Sequence, residues 1–228
     1  MRYAIYFTPP NSSHLTKTAA RWLGRDVCNP AALFETHQHS DLTQSPRRYG
    51  FHATMKAPFR LADGMEEGFL ISEFEKFCAG QSPVTISKLV LTRLGSFFAL
   101  MPNQTERPLN SLAEQCVRQF EPLRAPLSDE DYKRRKPETL SLAEHENLVK
   151  WGYPYIFSEF RFHMTLTDRV PEARISDVKE DLAARFADVT NRPLEISSLS
   201  LFCEPEPGAP FEVLTSRSLS ASALTRLS

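Results

Sequence analysis

The sequence predicts an α+β fold made of two similar lobes that form one domain over residues 1–228. Two observations lead to this prediction. Strands and helices alternate along the chain in an order that occurs twice, and two short strings of residues recur at nearly the same offset. With 228 residues, of which 41% are hydrophobic and 24% charged, the chain is long enough to bury a sizeable core and has an ordinary globular composition.

The elements of the first half follow from side-chain periodicity and from the residues that interrupt it. Residues 2–8 alternate and are rich in aromatic and β-branched types, which is typical of a strand, and Pro9 and Pro10 end it. The next apolar stripe predicts a helix that Gly24 terminates. The rest of this half is predicted as a polar loop over about residues 29–48, a strand over 50–59, a helix over 66–79, strands over 84–94 and 97–101, and a helix over 108–120.

The second half repeats these patterns after an additional segment. We predict a strand over residues 160–167, a helix over 172–186, and strands over 194–202 and 211–216. The additional segment, residues 121–158, is predicted to be an inserted helical cap over the cleft between the lobes. It contains the basic run Lys133 to Lys136, for which a solvated helix face is the alternative to contact with a phosphate.

The two halves share residues as well as element order. Phe51-His-Ala-Thr-Met55 recurs as Phe162-His-Met-Thr-Leu166 at an offset of 111, and Pro83-Val-Thr-Ile-Ser-Lys-Leu-Val-Leu91 recurs as Pro193-Leu-Glu-Ile-Ser-Ser-Leu-Ser-Leu201 at an offset of 110. Two lobes related by a pseudo-two-fold axis would bring equivalent strands together across a cleft, and clefts are favoured ligand sites. The duplication therefore predicts that the two His-x-Thr strands meet.

Each motif is expected to send its polar side chains to one face of its strand, because side chains alternate along a strand. The predicted cleft-facing side chains are those of His52, Thr54 and Lys56 in the first copy and those of Arg161, His163 and Thr165 in the second. Such a set is unusual in a protein core and well suited to a phosphate ester.

The chemistry of these residue types indicates acid–base catalysis. Histidine titrates near neutrality, so one imidazole can accept a proton while the other donates one. Threonine hydroxyls can donate to non-bridging phosphate oxygens, and Lys56 and Arg161 can offset the negative charge that develops on them. The sequence does not say which histidine is the base. Tyr49 and Tyr153 are further candidates to contact a base or ribose of the substrate, with packing as the alternative.

Neither a metal nor another cofactor is expected. The motifs contain no acidic residue, and the four cysteines are far apart with no C-x-x-C pair, which favours a reducing cytoplasm. His37 and His39 form an H-x-H pair without a nearby third ligand, and we interpret them as solvated. No apolar run predicts a membrane partner. The formal net charge of −1 argues against long RNA as the main substrate.

Two H-x-[T/S] motifs in apolar strands, about a hundred residues apart, resemble the 2H phosphoesterase superfamily. The resemblance implies two antiparallel sheets that form a concave cleft, with helices outside, and an activity like that of RNA 2′,3′-cyclic phosphodiesterases or RNA ligase-like enzymes. Three longer strings resemble a bacterial branch associated with phosphonate-utilisation genes. They are Arg48-Tyr-Gly-Phe-His-Ala-Thr-Met-Lys-Ala-Pro-Phe59, Trp151-Gly-Tyr-Pro-Tyr155 and Phe160-Arg-Phe-His-Met-Thr-Leu166.

The residues and the resemblance together predict a metal-independent phosphodiesterase. Its substrate is expected to be a cyclic phosphodiester, either a 2′,3′-cyclic nucleotide, an RNA end or a ribose cyclic phosphate. One alternative is an RNA-end ligase or transesterase, and another is a phosphate-binding module without turnover. We expect a monomer whose partner is the small-molecule phosphate ester or RNA end. Whether the product is a 2′- or a 3′-phosphate stays open.

Overall fold

Antiparallel strands build two sheets of unequal size in the computed structural model, which describes residues 1–221. The strands are β1 (Arg2–Phe7), β2 (Ala53–Phe59), β3 (Val84–Ile86), β4 (Leu89–Leu94), β5 (Phe97–Pro102), β6 (Met164–Thr165), β7 (Leu194–Ile196), β8 (Ser198–Glu204) and β9 (Glu212–Ser218). The large sheet has the order β4-β5-β6-β2-β1-β8-β9, and β3 pairs with β7 in the small sheet. The predicted α+β class is confirmed.

Helices surround the sheets. They are α1 (His14–Leu23), α2 (Gln44–Tyr49), α3 (Glu67–Ala79), α4 (Arg107–Phe120), α5 (Asp129–Arg134), α6 (Leu142–Trp151) and α7 (Ile175–Arg185). Ser13 caps α1 by accepting a hydrogen bond from the backbone of Thr16, and Gly24 ends it in the left-handed conformation. Among residues 1–221, no helix combines the length and the apolar character that crossing a bilayer requires.

Three strands and one loop differ from the sequence prediction. The strands predicted over 84–94 and 194–202 are each interrupted, the first at Ser87, whose backbone N–H donates to the Glu106 carboxylate instead of a neighbouring strand. The strand predicted over 160–167 shrinks to β6, because the next two backbone N–H groups both turn to the carbonyl of Phe98. The loop predicted over 29–48 runs into α2, a short helix that periodicity alone does not reveal.

The core ties the helices to the centre of the large sheet. Trp22 of α1 is fully buried, and its indole N–H donates to the carbonyl of Leu166 at 2.7 Å, directly after β6. Burying an aromatic side chain of this size is strongly favourable, and its N–H needs such a partner. Trp22 therefore fixes α1 against the second His-x-Thr motif.

The strands that carry the two motifs are neighbours at the middle of the large sheet. Ala53 of β2 pairs with Met164 of β6, and Thr165 of β6 pairs in turn with Ala99 of β5. In an antiparallel register, the positions flanking the Ala53–Met164 pair lie across from one another. The two motifs therefore meet, as the duplication predicts, and each histidine is placed across from the threonine of the other motif.

Gly50 shapes the turn that leads into the first motif. Its backbone has φ 74° and ψ −177°, a combination that is essentially restricted to glycine. A Cβ atom at this position would lie 2.0 Å from Cγ1 of Val27, which no side chain can tolerate without movement. The turn thus requires glycine for both its conformation and its packing.

We expect Gly50→Ala to lower the free energy of unfolding by about 3 kcal/mol or more, because backbone strain and the contact with Val27 both oppose it. Gly64→Ala is the matched control. Gly64 also has a positive φ, of 80°, but its Cβ would meet no atom within 4 Å, so strain of about 1–2 kcal/mol is the whole cost. Denaturant unfolding of both variants measures the difference. Equal losses would contradict the role of the Val27 contact.

Candidate active site

A cavity of about 490 Å³ opens over the junction of the two motif strands. Both histidines and both threonines of the motifs lie in its lining, together with five arginines, and we call it the basic cavity. The arginines are Arg2, Arg48, Arg134, Arg135 and Arg169. A second cavity of about 500 Å³, here called the apolar cavity, adjoins it and has Phe97, Tyr155, Ile156 and Phe160 in its lining. Thr54, Tyr153 and His163 border both cavities.

The two imidazoles are held in the same way. Nδ1 of His52 lies 2.9 Å from the carbonyl oxygen of Gly50, and Nδ1 of His163 lies 2.7 Å from the carbonyl oxygen of Arg161. A carbonyl can only accept a hydrogen bond, so Nδ1 carries the hydrogen in both rings. The tautomer thus follows from the hydrogen-bond network. Nε2 is then the nitrogen left to exchange a proton with a ligand.

The surroundings of the rings favour the neutral form. The centroid of the Tyr6 ring lies 4.0 Å from that of His52. Burial, together with a smaller effect of the charge that His163 would carry, lowers the pKa of His52 to about 4. Burial also lowers the pKa of His163 below its ordinary value. Both imidazoles are therefore expected to be neutral at pH 7 in the free protein, with His52 the harder of the two to protonate.

The threonine hydroxyls lie beside the imidazoles. Oγ1 of Thr54 is 3.5 Å from Nε2 of His52, at the outer limit for a hydrogen bond, and Thr165 lines the same cavity. Thr167, two residues further on, serves the fold instead, because its hydroxyl accepts the backbone N–H of Phe98 and its side chain is buried. Only the first two hydroxyls are thus available to a ligand.

The predicted position of Lys56 in the cleft is wrong. Its side chain is buried under α4, and Nζ donates to the carbonyl of Val117 and to the carboxylate of Glu121 at 3.1 Å. The cause is a bulge in β2. Tyr6 pairs with Thr54 but Ile5 pairs with Lys56, so Met55 is an extra residue that breaks the alternation of faces.

The other predicted ligand-binding residues border the two cavities. Arg161 lies at the apolar cavity, where its side chain is exposed. Tyr49 lies in the basic cavity and stacks on Phe211, with ring centroids 4.9 Å apart. Tyr153 borders both cavities, and Cζ of Arg135 lies 4.7 Å from the centroid of its ring. The tyrosines therefore both pack and face the ligand space.

Sequence reasoning missed three of the five arginines of the basic cavity. The other two, Arg134 and Arg135, belong to the basic run of the cap. Arg2 and Arg48 come from distant parts of the chain and converge on the buried carboxylate of Glu204. Arg169 comes four residues after Thr165, the last residue of the second motif. Their spacing carries no recognisable pattern, because the cavity is assembled by tertiary structure.

The H-x-H pair is not solvated as predicted. His39 is 1% exposed and lies 3.0 Å from a guanidinium nitrogen of Arg174, while His37 stacks on Trp22 with ring centroids 4.3 Å apart. His37 thus packs against α1, whereas His39 packs beside Arg174, which directly precedes α7. Within residues 1–221, no group of three or more histidine, cysteine, aspartate or glutamate side chains is arranged to hold a metal ion.

The facing motifs resemble those of one class of protein. In having two His-x-Thr motifs on neighbouring central strands of an α+β fold, the chain is similar to the 2H phosphoesterases. Residues 54–212 match the family described as "Protein of unknown function (DUF1045)", and the chain belongs to this family.

Two curated relatives align with nearly the whole of this chain. The chain is 38% identical over 221 residues to "Ribose 1,5-bisphosphate phosphokinase PhnN" of Janthinobacterium sp. (strain Marseille), covering 92% of this chain and 49% of the relative. It is 34% identical over 224 residues to the protein of the same name from Laribacter hongkongensis (strain HLHK9), covering 93% and 50%. The chain thus spans about half the length of the curated relatives it matches.

Similar solved structures include Escherichia coli LigT complexed with NADP⁺ and a protein named as a phosphoesterase. The TM-scores are 0.47 and 0.46, each at 11% sequence identity and with 96% of this chain and 98% of the other covered.

A histidine-resolved NMR titration tests the electrostatics of the site. We expect His52 to titrate at about pH 4 and His163 below pH 6.5, each with the hydrogen on Nδ1 above its pKa. Since the charge of His163 lowers the pKa of His52, His163→Gln should move that pKa upward. The His52→Gln spectrum assigns the signals. A pKa above 6.5 for either histidine would contradict the described burial.

Proposed function

We propose that the protein is a metal-independent phosphodiesterase that hydrolyses a ribose cyclic phosphate by two-histidine acid–base catalysis. The observation that carries this proposal is the meeting of the two motifs over one cavity, with Nδ1 of each imidazole bonded to a backbone carbonyl, so that Nε2 is the nitrogen that can exchange a proton. Two such nitrogens can serve the attacking water and the departing ribose oxygen at once.

We assign His52 as the base and His163 as the acid. A general base must be unprotonated before the reaction, and burial lowers the pKa of His52 to about 4, which keeps its imidazole neutral at pH 7. The negative charge of a bound phosphate favours protonation of His163. The water oxygen forms a new bond to phosphorus while its proton passes to His52. The bond from phosphorus to one ribose oxygen breaks, and that oxygen takes a proton from His163.

The hydroxyls of Thr54 and Thr165 stabilise the phosphoryl group during this step. Each lies in the cavity lining beside a catalytic imidazole. Donating to non-bridging oxygens, they hold phosphorus between the two rings and offset charge that grows in the transition state. The arginines of the basic cavity add to the same positive field.

The two-lobe duplication is part of this proposal, and the sheet pairings support it. Ala53 pairs with Met164, its equivalent at an offset of 111, and Thr85 pairs with Glu195, its equivalent at an offset of 110. Pairing of equivalent residues is what a two-fold axis between two similar lobes produces. If the phosphate binds on this axis, the axis relates the two imidazoles to one another and places them on opposite sides of the phosphate.

The inserted segment over residues 121–158 is proposed as the cap of the site. It contains α5 and α6, and it supplies Arg134, Arg135 and Tyr153 to the basic cavity. These three residues form the part of the cavity lining that the inserted segment contributes. A cap that brings both charge and an aromatic ring is suited to hold the sugar part of the substrate.

The names of the relatives support a ribose substrate. They are named for ribose 1,5-bisphosphate. A ribose 5-phosphate whose O1 and O2 are bridged by a second phosphate is a ribose cyclic phosphate. Cleavage of its bond from phosphorus to O2 would leave ribose 1,5-bisphosphate. The present chain has no G-x-x-x-x-G-K-[ST] phosphate-binding motif, so its sequence gives no reason to assign the kinase activity to this half of the relatives.

A panel of cyclic phosphates tests the proposed function. We expect hydrolysis of a ribose 1,2-cyclic phosphate in preference to nucleoside 2′,3′-cyclic phosphates, and no effect of EDTA. His52→Ala and His163→Ala should each lower turnover by a factor on the order of 10² to 10⁴. His14→Ala, a change at an exposed histidine on α1, is the matched control and should leave turnover unchanged.

Four outcomes would overturn the proposal. Loss of activity in EDTA with recovery on adding a divalent ion would point to metal catalysis. Full activity of either catalytic-histidine variant would remove the acid–base pair. Binding of the panel without product would favour the phosphate-binding module, and joining of RNA ends would favour a ligase.

A further inference from the structure

The basic cavity holds more positive charge than a cyclic phosphate requires. Five arginines line it, whereas Asp168 is its one acidic lining residue among the described part of the chain. A cyclic phosphodiester carries a single negative charge, and the two imidazoles are neutral before it binds. The whole chain has a formal net charge of −1, so this concentration of arginine is a local feature and not a general property of the surface.

Only part of this charge is neutralised by the protein itself. Arg2 and Arg48 share the one carboxylate of Glu204. Arg134 pairs with Asp131 at 2.6 Å, but Asp131 also pairs with Arg60 at 2.9 Å. Each of these groups therefore keeps one net positive charge.

Arg135 and Arg169 form no ion pair with an acidic residue within residues 1–221. Of the two, Arg135 is the better fixed. Its guanidinium lies over the ring of Tyr153, and it is half-buried. It directly follows α5, whose start is capped by Ser128, and Arg60 ties α5 to the end of β2 through Asp131. Arg135 is thus a preorganised and unpaired cation.

Three of the arginines gather at one end of the cavity. Arg2, Arg134 and Arg135 also line a small neighbouring pocket that contains neither catalytic histidine. This end is therefore the one that faces away from the reacting phosphorus. Tyr6 and Tyr49 line the same cavity nearer to His52, with ring centroids 4.0 and 5.7 Å from the centroid of the His52 ring.

We propose that Arg2, Arg134 and Arg135 form a subsite for a second phosphate of the substrate. The ligand is a phosphomonoester on the same sugar as the cyclic phosphate. A phosphomonoester carries about −1.5 to −2 charges at pH 7, opposite in sign to the unneutralised charge of this end. Guanidinium groups bind such oxygens through paired hydrogen bonds. The inference rests on the proposed function and narrows its substrate to a ribose cyclic phosphate with a 5-phosphate.

The size of the basic cavity agrees with this ligand. Cavities of about 300–1,000 Å³ hold small-molecule ligands, and about 490 Å³ is available here. The subsite would also explain why the cap supplies arginines. Without a second phosphate, the cap would bring two guanidinium groups to the cavity of which only that of Arg134 pairs with a carboxylate, one that it shares with Arg60.

The test compares two substrates that differ only at the 5-position. Ribose 1,2-cyclic phosphate is offered with a 5-phosphate or with a 5-hydroxyl, and kcat/KM is measured for each. We expect the wild-type protein to have the higher kcat/KM for the substrate with the 5-phosphate. Arg135→Gln should reduce the ratio of kcat/KM for the 5-phosphate to that for the 5-hydroxyl by roughly 10- to 100-fold, because the KM for the 5-phosphate substrate rises. Lys133→Gln, a change two residues earlier at an exposed position of α5, should leave the ratio unchanged.

Wild-type protein that hydrolyses both substrates equally well would overturn the subsite and leave the proposed function standing. An unchanged ratio in Arg135→Gln would overturn it as well. If neither substrate is hydrolysed, the proposed function fails, and calorimetric binding of ribose 5-phosphate still decides the subsite. Binding that weakens in Arg135→Gln but not in Lys133→Gln supports it, whereas equal binding to all three proteins contradicts it.

Discussion

The pairing of Ala53 with Met164 is the interaction on which the site depends. It joins the strands that carry the two motifs, and β6 is only two residues long, so its position is set from outside. β5 pairs with β6 on the other edge, and the indole of Trp22 binds the carbonyl of Leu166 just after it. A motif on such a short strand is held by its neighbours, which explains why so much of the core converges on it.

Burial and hydrogen bonding then convert two ordinary histidines into a matched pair. Each imidazole gives Nδ1–H to a carbonyl two residues earlier in the chain, so the local backbone selects the tautomer in both motifs. Aromatic neighbours exclude water from the first ring and lower its pKa. In the proposed reaction the arginines have the opposite influence, because they would attract the phosphate whose charge favours protonation of His163.

The sequence predicts the fold class, the meeting of the motifs and the residues at the cavity floor, because period-two patterns and an internal repeat are local signals. It fails where a local signal is overridden. Lys56 follows the alternation in the sequence, but the bulge at Met55 turns it under α4. Ser87 lies within an apolar run, but Glu106 captures its backbone N–H. The arginines come from segments far apart, and no spacing in the sequence brings Arg2 beside Arg135.

A double-mutant cycle on the two histidines tests the central claim most directly. Turnover of the ribose cyclic phosphate is measured for His52→Ala, His163→Ala and the double variant. A base and an acid that act in one step predict that the double variant loses little more than the more impaired single variant. Losses that multiply would show that the two imidazoles act independently, and would contradict a concerted acid–base pair.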